Sequence, residues 1–400
     1  MAAFSARGRD GQRGRHEPAV ERPDTDVAHG KDLLAAGRWA EGEQHLRDLL
    51  ARREAQLPPG DPRIHGARMA YGSALLAVHR PEEALSAFAV AAAEAQRDLG
   101  RHHPAALAAR LQVVDALIHC GRLVEGETQA RALVHIYEGA RFAGPRFAPQ
   151  RNRARIQLGK VLGQAGRIRE AIDVSDRMLP EAARDLGIDH PYVLTCRVNR
   201  TQQLAALGLF PEAEAECAAL VATAAGLAGQ RHPAASLVSM AAANNLAFSY
   251  AESGRPAEAE LVVRAPLAEA EQLLGPASDF AQALRLNLVT ALVGQGRHEE
   301  ALAAAEPLPA LSPAQPGSRA LARAEALYGL SRYVEAEATA FQALTEASAY
   351  LAPIHHRVLR TRTLLALLHD SPEEMRSVTA DWTRHFGPDH PRTRAARAAC

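Results

Sequence analysis

The chain has 400 residues, with 46 Lys and Arg against 46 Asp and Glu, and only 4% of it is aromatic. A formal net charge of zero removes the broad positive field that a nucleic-acid-binding protein carries. Ala and Leu supply the apolar surface of a chain that is 47% hydrophobic, which favours closely packed helices over sheets.

Residues 1–24 carry the run Ala6-Arg7-Gly8-Arg9-Asp10-Gly11-Gln12-Arg13-Gly14-Arg15. It has no apolar period and is expected to be a disordered Arg/Gly-rich tail, with an RNA contact as the less favoured reading. From Gly37 onward a corner recurs, at Gly37-Arg38, His79-Arg80, Gly121-Arg122, Gly166-Arg167, Gly208-Leu209, Gly254-Arg255, Gly296-Arg297 and Ser331-Arg332. Successive spacings are 42, 42, 45, 42, 46, 42 and 35 residues, and a degraded ninth corner falls near His369-Asp370. A self-similar period of this length predicts a solenoid of helix pairs over residues 25–400, eight or nine of them.

The columns around each corner are tight. Four residues after it stands Glu41, Glu83, Glu125, Glu170, Glu212, Glu258, Glu300 or Glu335, each followed by Ala or Gly. Four residues before it, from the second corner on, stands Leu or Tyr, as in Leu75, Leu162 and Tyr250. A small residue early in helix B lets it approach helix A, whose large residue fills the facing hole, and Glu in the first turn suits the helix dipole. Between repeats, Leu99-Gly100-Arg101-His102-His103-Pro104, Leu186-Gly187-Ile188-Asp189-His190-Pro191 and Phe386-Gly387-Pro388-Asp389-His390-Pro391 predict a glycine in the αL conformation followed by proline in the next helix's first turn. Pro307 and Pro309 predict a clipped seventh helix B.

The unit Asn244-Asn245-Leu246-Ala247-Phe248-Ser249-Tyr250-Ala251-Glu252-Ser253-Gly254-Arg255-Pro256-Ala257-Glu258-Ala259-Glu260, with its L-G-x-D-H-P linker, resembles the tetratricopeptide repeats of kinesin light chains and of many bacterial signalling proteins. The resemblance covers roughly residues 25–395. It implies an all-α, right-handed superhelical solenoid that binds a protein or peptide partner in its concave groove. No coiled-coil, nucleotide-binding or helix-turn-helix segment accompanies the repeats.

In such arrays the residue nine before the corner faces the groove, and here that column is Gln112, Gln157, Asn199, Asn245 and Asn287. A ladder of amides can pair with the backbone of an extended peptide; the competing role is to bridge neighbouring helices. Asn244, Phe248, Arg153 and Lys160 lie one turn away on the same face, Arg153 and Lys160 making a small positive spot with Gln157. A second column, Arg68, Arg110, Arg155, Arg197 and Arg285, lies on another face of helix A. These arginines are expected to cover seams between repeats and to find helix B carboxylates.

The P-loop, Rossmann, nucleophile-elbow and zincin motifs are missing, and neither His102-His103 nor His355-His356 has metal-ligand spacing. No catalytic residue, cofactor or metal is expected. Four scattered cysteines and the lack of an apolar span or an h-region point to the cytoplasm, without a membrane partner. The function expected is a non-enzymatic scaffold or adaptor holding an extended peptide segment. The alternative is a regulatory sensor whose superhelix responds to a peptide or small ligand and controls a signalling or transcription partner. Arg392 to Cys400 reads as the start of a further helix A without a cap, which predicts self-association through that end.

Overall fold

The computed structural model describes residues 24–142, 144–230, 235–308 and 315–400; the tail expected over residues 1–24 falls outside this set except for Asp24. Among the described residues there are nineteen α-helices and no strand. They form nine antiparallel pairs: α1 (Thr25–Ala35) with α2 (Trp39–Gln56), α3 (Pro62–Ala77) with α4 (Pro81–Leu99), and α5 (Pro104–His119) with α6 (Leu123–Glu138). Next come α7 (Ala148–Gln164) with α8 (Ile168–Leu186), α9 (Pro191–Ala206) with α10 (Phe210–Gly229), and α11 (Ala235–Glu252) with α12 (Pro256–Leu274). The last are α13 (Asp279–Gly294) with α14 (His298–Ala305), α15 (Ser318–Gly329) with α16 (Tyr333–Ser348), and α17 (His356–Leu368) with α18 (Pro372–Phe386). A short α19 (Pro391–Ala398) follows.

Each corner is a helix stop of one kind. The corner residue takes positive φ (Gly37 73°, Gly166 73°, and also His79 58°, Ser331 61° and Asp370 45°). That turn brings the next N–H back onto the carbonyl of the Leu/Tyr column, as in Arg38 to Leu33 at 2.9 Å, Arg167 to Leu162 at 2.9 Å and Arg255 to Tyr250 at 2.8 Å. The pattern is a Schellman closure, so the column both fills the core and accepts the capping bond. The small residue early in helix B is sealed in the first eight pairs, with Ala84, Ala171, Ala213, Ala259, Ala301 and Ala336 at 0% exposure and Gly42 and Gly126 buried. As the prolines predict, α14 is only 8 residues long.

The linkers differ from expectation in one respect. Gly100, Gly187 and Gly387 have φ of 95°, 91° and 97° but ψ of 153°, 154° and 162°, an extended mirror-image conformation, not αL. Only glycine adopts it without strain. It lets the chain run straight on into the next helix, where His103, His190 and His390 serve as N-caps, as His355 does after a linker without glycine, each Nδ1 accepting from the N–H two residues on at 3.1–3.2 Å. The His of the linker motif is therefore a cap in preference to a surface residue.

The first helices of the pairs stack on one another (α5, α7, α9, α11, α13, α15 and α17), while the second helices form the outer layer. Stacking with a constant rotation bends the array, and after one turn its C-terminal end meets its own middle. Leu359, Ala366, Met375, Trp382 and Phe386 of α17 and α18 share one core with Ile168, Ile172 and Leu204. The Ala352 N–H donates to the Gln164 carbonyl at 3.3 Å. Arg392 of α19 and Arg360 of α17 both donate to Glu252 at the end of α11, Arg392 through two bonds of 2.8 Å. The superhelix is closed by this seam, and α19 lies in it.

Candidate functional site

Inside the turn lies a chamber open to solvent and walled mainly by first helices. One lobe, of about 100 Å³, lies between Gln202, Asn244, Asn245, Phe248, Asn287, Glu325 and Arg360. A second, of about 250 Å³, lies between Lys160, Gln164, Asn199, Gln203 and Leu351. Both lobes are lined by Gln202, Gln315, His356 and Arg357, so they meet there.

Six of the nine residues singled out from the sequence line this space, because residues nine, ten and six before a corner share the inner face of helix A. Their bonding is unequal. Asn245 is buried and donates to the Val198 carbonyl at 2.8 Å, tying α11 to α9. Asn287 donates to both the carbonyl and the side-chain oxygen of Asn244 at 2.9 Å, tying α13 to α11. Asn199 and Gln202 line the chamber without such a bond among the described contacts, and Gln202 is exposed to it. Phe248 sets its ring edge-on to His356 at 5.9 Å, at the margin of the closing core.

Gln112, Gln157 and Arg153 lie outside the two lobes. Arg153 donates to the Gln112 oxygen at 2.6 Å, joining α7 to α5. Lys160 reaches the chamber, yet pairs with Asp115 at 2.9 Å. The Lys160 half of the positive spot expected around Gln157 is thereby neutralised, while Arg153 is held by a neutral amide. Burial raises the Asp115 carboxyl, but Lys160 and His119 outweigh it and lower the pKa.

Four of the five arginines in the column do what its spacing predicts, whereas Arg110 donates to the neutral Gln129 oxygen at 3.2 Å. Arg155 spans Glu138 and Glu181, Arg68 spans Glu54 and Glu94, Arg197 meets Glu216 and Arg285 meets Glu271. Each stitches a first helix to one or two second helices on the outer layers. The corner arginines form another set that sequence spacing alone concealed: Arg38, Arg80, Arg122, Arg167, Arg297 and Arg332 each grip the Glu three residues on. The hydrogen bond from Arg122 lowers the Glu125 pKa. Exposed pairs of this kind contribute little to stability.

The seam and the chamber hold the most perturbed groups. Burial would raise the Glu252 carboxyl, but the charge and hydrogen bonds of Arg392, with Arg360, hold it far below the carboxylate range. Burial, with Arg357 beside it, pushes His356 down to about 3, and burial likewise lowers His355 and His390. The thiols are not activated. Burial pushes Cys120 and Cys217 up to about 12 and Cys196 up to about 11. No group of three His, Cys, Asp or Glu able to hold a metal occurs among the described residues. No described helix is long and apolar enough to cross a membrane.

Residues 239–279 match the family model of the tetratricopeptide repeat. No curated protein matches the chain. Among solved structures, a Rap protein complexed with competence and sporulation factor is similar over 94% of this chain and 97% of its own, at 10% identity and a TM-score of 0.51. The apo form of the quorum sensor NprR from B. thuringiensis aligns over 90% of this chain and 97% of its own, at 10% identity and a TM-score of 0.47. Kinesin-light-chain repeats from Podosopora anserina align at 19% identity over 52% of this chain and 95% of their own, with a TM-score of 0.43. The fold is a solenoid of nine tetratricopeptide-like helix pairs, in which residues 239–279 match the repeat's family model.

Proposed function

We propose that this chain is a non-enzymatic binding protein that takes a short protein or peptide segment into the chamber. One observation carries this reading: a space inside the turn is lined by amides with unused hydrogen-bonding capacity, Asn199 and Gln202, beside the apolar ring of Phe248. Amides can pair with a peptide backbone, and an apolar wall can take a side chain. The bonds made by Asn245 and Asn287 argue for a short segment held near Asn199 to Phe248, in place of a long one along the whole ladder. A Rap protein of the same fold, complexed with competence and sporulation factor, offers a parallel.

The sensor reading is favoured over a passive adaptor by the origin of the walls. Gln202, Asn244 and Phe248 come from the middle of the array, whereas His356, Arg357 and Arg360 come from the end that closes onto it. A ligand touching both sides has differential affinity for the closed and open superhelix, which is what a population shift requires. Partner peptides eluted from protein purified from its host would be sequenced, synthesised and titrated calorimetrically. An Asn199→Ala/Gln202→Ala variant with an unchanged melting curve should bind them about 5- to 150-fold more weakly, since each lost bond is worth about 0.5–1.5 kcal/mol. Equal affinity of the two proteins would overturn the chamber as the binding site.

A further inference from the structure

Arg357 stands where the two lobes meet, in the first turn of α17. Its guanidinium donates to the Pro316 carbonyl at 3.0 Å and the Gln315 side-chain oxygen at 3.1 Å, both neutral acceptors. No described carboxylate comes within ion-pair distance of it. The neighbouring charges are already committed to one another. Arg360 is shared between Glu325 and Glu252, and Arg392 is held by Glu252. Among these three arginines and two carboxylates, the surplus positive charge rests on Arg357.

Arg357 is partly withdrawn from water, and a cation so placed without a counter-ion gains a charge-assisted bond when a carboxylate reaches it. Burial, with Arg360 alongside, pushes the pKa of Arg357 down to about 10, which still leaves it charged at neutral pH. His355 and His356 beside it are held neutral, so they do not add to the positive charge. A guanidinium offers five N–H donors in a flat fork matched to a carboxylate, and the contacts made here use two of them. Gln202 and Asn199 line the walls on either side, able to orient whatever group the fork holds.

We propose that Arg357 is the anchor of a carboxylate-binding site at the junction of the two lobes. The proposal rests on the chamber being the binding site and adds the chemical class of the group it takes. Two sources present that chemistry: a peptide, through its C-terminus or an acidic side chain, and a free organic acid.

The test uses the full chain, calorimetry and three probes. These are succinate, a pool of synthetic pentapeptides with free C-termini, and the same pool amidated and lacking Asp and Glu. The expected result is that succinate or the free-acid pool binds at least about tenfold more tightly than the amidated pool. Arg357→Gln should erase that preference, and Arg357→Lys, a point charge without the fork, should keep only part of it. Binding of succinate alone assigns a free acid, and binding of the free-acid pool alone assigns a peptide. If the amidated pool binds as tightly as the free-acid pool and succinate does not bind, the carboxylate site is wrong while the chamber reading stands. Silence from all three probes overturns both. Should Arg357→Gln fail to fold, the probe comparison on the wild type with the Lys variant decides by the same criteria.

Discussion

Two residues in one sequence column, Asn199 and Asn245, separate the structural from the available amides. Asn245 is buried and donates to a carbonyl of the neighbouring helix, so truncation removes a bond between helices and leaves a void in the packed interior. We expect Asn245→Ala to cost about 1–3 kcal/mol in urea unfolding, whereas Asn199→Ala should stay within about 0.5 kcal/mol. Equal effects would show that the column has a single role. The histidines at the seam, His355 and His390 buried and His356 partly so, give a pH prediction of definite sign. His355, His356 and His390 have folded pKa values below that of the unfolded chain, near 6.5, chiefly through burial. The unfolded state therefore takes up protons first, and stability falls as pH drops below about 6.5. The slope is at most about 1.4 kcal/mol per pH unit for each histidine. Urea midpoints at pH 7.5 and 5.5 measure it, and the fall should be smaller in His356→Gln than in wild type.

At the level of the element, the corners are alike in backbone and unlike in surroundings. Gly296 has φ of 75° and open space where a Cβ would stand, whereas at Gly121, with φ of 71°, the Cβ would strike the backbone of Ala349 and Tyr350. Gly296→Ala should therefore cost only the left-handed conformation, on the order of 1 kcal/mol. Gly121→Ala should cost more and disturb the seam. Hydrogen exchange checks this: Gly121→Ala should speed exchange across 349–356 and Gly296→Ala should not. Had helix B been free to slide away, the two substitutions would look the same.

For the whole molecule, the seam between α19 and α11 is the feature on which shape depends. Glu252 is buried between Arg360 and Arg392, and its folded pKa is depressed. Its contribution is fully present above the unfolded carboxyl range, near pH 4.3, and is lost as pH falls toward the lower folded value. Glu252→Gln leaves Arg392 without its carboxylate and Arg360 with Glu325 alone, a loss of about 3–5 kcal/mol for a buried pair. The expected outcome is a larger radius of gyration in solution scattering, with helical content by circular dichroism unchanged. Unaltered dimensions would mean that the apolar core of Trp382, Phe386 and Leu204 closes the turn without the ion pairs. Self-association through the C-terminal end remains a proposal, and the same scattering series over protein concentration measures it.

The sequence by itself determined the helix pairs. Corner, small residue, Glu and linker recur at fixed local spacing, and each acts within one repeat through capping, dipole and close approach. It also picked out the inner face, since Asn199, Asn244, Asn245, Asn287, Lys160 and Phe248 all reach the chamber. It left undecided which of those amides were already bonded, because that depends on the rise and rotation between neighbouring first helices. The meeting of Arg392 and Arg360 with Glu252 spans 140 and 108 residues and follows from curvature summed over several repeats. No local spacing encodes such a sum, so the closed turn, the chamber and the unpaired Arg357 within it were decided by the tertiary structure alone.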